Sequence, residues 1–163
     1  MLVYYVNMID SISNAKRIAA LPREEALRMA IEQLYFGYRA FTNPPDRILE
    51  QRGLGRVHHR ILYFVGRNPH ISVNELFNLL DVSKQALNAP LRQLIEMKLV
   101  VMMTAEHDKR VRELSLTSAG AKLEAKLTGT QMKQLSAVFV QTGAHAEAGW
   151  HQVMRVLSEL ETS

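Results

Sequence analysis

Within six residues, Ser83, Lys84, Gln85 and Asn88 place a hydroxyl, an ammonium and two carboxamides side by side. Hydroxyls and lysines suit phosphate oxygens, and Gln and Asn amides are types that pair with the donor and acceptor edge of adenine. Arg92 follows Asn88 by four residues, on a similar face if the segment is helical. Lys109, Arg110 and Arg112 form a second group in or beside a charged loop. A guanidinium suits a narrow, strongly negative groove, and Asp108 stands where it can aim Arg110. Ser72 and Asn74 open another segment and can donate to phosphate, although capping a helix is the stronger claim on Ser72.

The charge of the chain gathers around these groups. Residues 52–112 carry 10 basic and 5 acidic side chains, whereas 1–51 carry 6 and 6 and 113–163 carry 4 and 5. The central segment also holds His58, His59, His70 and His107 of the six histidines. A basic centre between neutral arms points to a polyanion, most simply nucleic acid.

Other chemistries find little to work with. There is no cysteine, which removes disulfides, thiolate metal sites and thiol switches. His58 and His59 are adjacent, so on a helix they point about 100° apart, and His145 and His151 are six apart; no metal site is expected. No nucleophile stands beside a base and no Gly-rich phosphate loop occurs, so neither an enzyme nor a cofactor is expected. The longest apolar run, Leu2 to Val6, is far short of the ~20 residues that span a bilayer. The expectation is a cytoplasmic protein with no membrane partner.

A chain of 163 residues is sized for one domain with helical extensions. Residues 1–21 read as an arm without an assigned element. From Pro22, with Glu24 and Glu25 in the first turn, Leu27, Ile31, Leu34, Tyr38 and Phe41 recur at helical spacing until Asn43-Pro44-Pro45, where a stop is expected. A second helix is expected from about Gly55 to Arg67 through Val57, Ile61, Leu62 and Val65. Ser72 and Glu75 form a capping box ahead of a short helix carrying Leu76, Phe77, Leu79 and Leu80. Asp81-Val82 leaves room only for a tight turn before Ser83 caps the next helix, whose apolar positions are Leu87, Leu91, Leu94 and Ile95. Two strand-like runs, 99–104 and 111–116, flank the polar loop 105–110. Thr117 then caps a helix through Leu123, Leu127, Leu135 and Val138, and a last helix carries Trp150, Val153, Met154, Leu157 and Leu160. The expected fold is mainly α, a winged helix-turn-helix at about 52–116 with a two-stranded β-wing. Pro90 breaks the pattern: inside its helix it removes the amide that would bond the Ala86 carbonyl, at about 3 kcal/mol or a kink.

The stretch Asp108-Lys109-Arg110 through Leu116-Thr117 to Gly120 resembles the D-x-R-x-x-x-x-x-L-T-x-x-G signature of the MarR family, with a helix-turn-helix at the usual distance before it. The resemblance spans roughly residues 22–160. It implies a bacterial, homodimeric winged-helix transcriptional regulator, often a repressor released by a small ligand. It also implies dimerisation helices at about 22–43 and 117–161, within one domain over 22–163, and here Leu27, Leu34, Trp150, Met154 and Leu157 would form the dimer interface. The second helix of the helix-turn-helix would enter the major groove and wing Arg110, oriented by Asp108, the minor groove. Two-fold symmetry would then match a pseudo-palindromic operator in duplex DNA with half-sites about one turn apart. Tyr35, Tyr38, Arg39, His59 and Tyr63 fall on the helices whose family counterparts line an effector cleft, suited to an anionic aromatic ligand. Pro90 and Ala89 depart from the family, which has an apolar residue and often an arginine there. They keep open an alternative, a winged-helix protein-interaction module that has lost specific DNA binding.

Overall fold

The structure, a computed structural model, describes residues 16–106 and 108–160. Its elements run α1 (Arg23–Glu50), α2 (Arg56–Arg67), β1 (Ile71–Ser72), α3 (Val73–Leu80), α4 (Lys84–Glu96), β2 (Val100–Thr104), β3 (Arg112–Leu116), α5 (Ser118–Thr142) and α6 (Ala144–Glu159). Of the arm at 1–21, residues 1–15 lie outside the described residues; 16–19 are helical. The chain divides into two units, Thr42–Gln131 and Met1–Phe41 with Met132–Ser163.

Local capping sets most boundaries in Thr42–Gln131. The Ser72 hydroxyl accepts from the Glu75 amide at 3.2 Å while the Ser72 amide donates to the Glu75 carboxylate at 2.8 Å, closing the capping box that starts α3. α3 ends on Asp81 in the left-handed region, φ 46°, and Ser83 caps α4 by accepting from the Ala86 amide at 3.3 Å. α4 stops in a Schellman arrangement: Leu99 N–H reaches the Leu94 carbonyl at 2.9 Å and Lys98 N–H that of Ile95 at 2.9 Å, with Lys98 left-handed at φ 55°.

The wing is an antiparallel pair, β2 on β3, with Met102 opposite Leu114. A third strand joins it, because β1 pairs with the far side of β3 through Ile71 opposite Leu114 and Ser72 opposite Glu113. Two residues are too few to show a period, so only this pairing makes them a strand. One core links helices and sheet: Leu49 from α1, Ile61, Leu62 and Val65 from α2, Leu76 from α3, Leu87, Leu91 and Leu94 from α4, Leu114 from β3, and Leu123 and Leu127 from α5.

The latter half of the family signature is architectural. Thr117 Oγ1 donates to the Lys98 carbonyl at 2.7 Å and accepts from the Gly120 amide at 3.0 Å, tying the first turn of α5 to the end of α4. A Cβ on Gly120 would lie 1.9 Å from the Leu99 carbonyl oxygen, so only glycine fits there.

The expected stop at Asn43-Pro44-Pro45 is a correction: α1 runs through both prolines to Glu50, so the helix placed at about 22–43 is longer. Pro44 deprives the Ala40 carbonyl of its intrahelical donor, and the Gln134 side-chain amide supplies one at 3.1 Å. Pro45 is fully buried, so the ring contributes packing where it costs a backbone bond. α4 likewise continues through Pro90.

Candidate nucleic-acid interface

Helical geometry sorts the side chains of α4. Lys84, Gln85, Asn88 and Arg92 fall within about 100° of arc and are exposed, while Leu87, Leu91 and Leu94 on another face are buried. The burial of these leucines leaves the ammonium, the two carboxamides and the guanidinium presented to solvent. Ser83 is exposed but its hydroxyl already caps the helix. Ser72 is similarly engaged, and its hydroxyl and amide hydrogen bonds hold the Glu75 carboxyl below the usual carboxylate range. Asn74 is exposed in the first turn of α3.

The wing loop presents its guanidinium on a built mount. Asp108 Oδ1 accepts from the Arg110 amide at 2.9 Å and from Arg110 Nε at 3.2 Å, and Oδ2 accepts from Nη2 at 3.1 Å. The Val111 amide closes the turn on the Asp108 carbonyl at 2.9 Å. With 90% of the Arg110 side chain exposed, this pair adds under about 1 kcal/mol of stability, and its main effect is to orient. Lys109 beside it is exposed. Arg112 differs: its Nη1 donates to Thr104 Oγ1 on the paired strand, so it braces the wing where the strands meet the loop. Neither Thr104 nor the register that seats it opposite Arg112 was marked by the sequence. Gln93 was also missed, since a half-buried glutamine in a helix gives no local signal; its amide joins α4 to the turn after α1.

The residues set aside for a ligand divide between the units. On α1, Tyr35 packs edge-on to Phe36 at 5.3 Å and Arg39 Cζ lies 5.7 Å from the Tyr35 ring centre, with Tyr38 exposed nearby in sequence. On α2, Tyr63 meets Phe64 edge-on at 5.2 Å, and His59 is half-buried with Nε2 lacking a hydrogen-bond partner. Burial holds the His59 imidazole below its usual range, against the opposing pull of the Glu124 and Asp46 carboxylates. Of the residues set aside for a dimer interface, Leu27, Leu34, Trp150 and Leu157 are exposed and Met154 is half-buried. Trp150 stands edge-on to Phe139 at 5.7 Å.

Residues 52–111 match the family model for the MarR family. Over 136 residues, 83% of this chain and 82% of the relative, the sequence is 43% identical to the HTH-type transcriptional regulator PetP of Rhodobacter capsulatus. The chain belongs to the MarR family. As a MarR-family protein it is a transcriptional regulator and not an enzyme, and its fold is the family's winged helix. Two solved structures share that fold. NadR in complex with 4-hydroxyphenylacetate has a TM-score of 0.65 at 23% identity, over 78% of this chain and 88% of that one. S. aureus MepR, a mutant bound to an oligodeoxyribonucleotide, has a TM-score of 0.55 at 19% identity, over 86% and 99%. No helix among the described residues of this MarR-family regulator is long and apolar enough to cross a membrane.

Proposed function

We propose that this MarR-family regulator is a homodimeric repressor that binds duplex DNA sequence-specifically. The observation that carries the reading is the joint presentation, on the unit Thr42–Gln131, of an exposed α4 face of Lys84, Gln85, Asn88 and Arg92 and an exposed Arg110 held by Asp108. Gln85 and Asn88 read base edges in the major groove, Lys84 and Arg92 anchor on phosphate with Ser83, Ser72 and Asn74 in support, and Arg110 enters the minor groove with Lys109 and Arg112 beside it. MepR, a structural neighbour, is bound to an oligodeoxyribonucleotide.

The dimer rests on Leu27, Leu34, Trp150, Met154 and Leu157. Among the described residues α6 has none that is buried, and a second copy would cover it. A small anionic aromatic ligand releases the repressor: Tyr35, Tyr38 and Arg39 on α1 offer rings and a cation to such a molecule, and NadR, another neighbour, is complexed with 4-hydroxyphenylacetate.

A gel shift with the promoter duplex of the protein's own gene, at two salt concentrations, tests the reading. The expected result is a shift at lower protein concentration than with a scrambled duplex, weakening as salt rises. Equal affinity for both duplexes would overturn it and leave the interaction module.

A further inference from the structure

Apolar packing of Leu87, Leu91 and Leu94 holds α4 against the core, but such contact is non-directional and leaves rotation about the helix axis weakly fixed. Base-edge hydrogen bonds are strict in distance and angle, so a helix that reads them needs a directional restraint. Three linked hydrogen bonds supply one. α1 ends in a Schellman arrangement, with Leu54 N–H on the Leu49 carbonyl at 3.0 Å and Gly53 N–H on that of Glu50 at 3.1 Å, Gly53 being left-handed at φ 66°. Gly55 then caps α2, and its amide donates to His58 Nδ1 at 2.9 Å. With Nδ1 accepting, the neutral ring carries its proton on Nε2, which donates to Gln93 Oε1 at 2.9 Å. The Gln93 side-chain nitrogen donates in turn to the Gly53 carbonyl at 3.1 Å. Donors and acceptors therefore run in one sense, from Gly55 through His58 and Gln93 back to Gly53. A flipped Gln93 amide would set donor against donor and acceptor against acceptor at both ends.

We propose that His58 and Gln93 are positioning residues for DNA reading: their relay to Gly53 sets the rotation of α4 and so the aim of Gln85 and Asn88. Gln93 lies on neither the buried nor the reading face of α4, so it can hold the helix without touching DNA. The inference rests on the proposed reading of DNA by α4. It places the specificity of that face partly in a histidine and a glutamine that contact no base.

Two variants of the full chain test it. Gln93→Leu removes the relay at similar size, and His58→Gln keeps an acceptor for the Gly55 amide at the capping position while losing the link to Gln93. Nitrogen NMR of the wild-type imidazole should show the Nε2-protonated tautomer for His58, and amide exchange across Lys84–Glu96 should quicken in both variants. The preference for a duplex that the wild type enriches from a randomised pool, over the same duplex scrambled, should fall about tenfold, with affinity for the scrambled duplex unchanged. An Nδ1-protonated His58, or unchanged exchange in both variants, overturns the proposal. So does an unchanged preference. A wild type that prefers no duplex would instead overturn the DNA reading, and tautomer and exchange would still decide the relay.

Discussion

In the unit Thr42–Gln131, Leu49, Ile61, Leu62, Leu76, Leu87, Leu94, Leu114 and Leu127 are all shut off from solvent, whereas the helical arms of the other unit leave Leu27, Ile31, Leu34, Val153, Leu157 and Leu160 open. The same residue types thus meet two fates in one chain. Helices draw most of their stability from a buried face rather than from propensity. The first unit supplies that face from within, through caps, a shared core and a glycine-tight crossing at Leu99. The second carries apolar rows on α1 and α6 that stay exposed among the described residues, and this supports a second copy as their partner.

The largest break in the comparison should come at Gly120. Gly120→Val forces a side chain into the Leu99 carbonyl and should cost more than about 4 kcal/mol, read as loss of the cooperative thermal transition. Leu62, at 0% exposure, should lose about 3 kcal/mol on replacement by Ala in denaturant unfolding. Leu34→Ala in the same denaturant unfolding, with both variants at a concentration too low for association, should lose under about 1 kcal/mol; equal losses would erase the distinction between the units.

Trp150→Ala sharpens the other side. It should raise the dimer dissociation constant about tenfold in sedimentation or mass photometry while leaving unfolding of Thr42–Gln131 unchanged. The smallest effect is at His59. Its folded-state pKa is depressed by burial, so as pH falls below about 6.5 the unfolded chain takes up a proton first and stability declines until the lower folded value is passed. His59→Gln should abolish that acid-side decline, on the order of 2 °C in Tm between pH 7 and pH 5.5.

What the sequence displays is what local chemistry decides. Ser72 with Glu75, and Ser83 ahead of Leu87, mark helix starts because a cap and its amide are three residues apart. The exposed polar face of α4 is legible for the same reason, as helical spacing separates Lys84, Gln85, Asn88 and Arg92 from the leucines. Pro44-Pro45 misleads because the donor that rescues the Ala40 carbonyl comes from Gln134, far along the chain. β1 exists only through β3, and the bracing of Arg112 by Thr104 needs the strand register. Asp108 and Arg110 are two residues apart, so their coupling is readable, whereas the relay from His58 to Gln93 crosses two helices.

The central claim is that Arg110, aimed by Asp108, and the exposed face of α4 meet the duplex. Its most direct measurement is the salt dependence of duplex affinity for wild type and Arg110→Ala. Loss of one groove contact should lower affinity and make the logarithmic slope shallower by roughly 0.9. An unchanged affinity and slope would place Arg110 away from DNA and contradict the account.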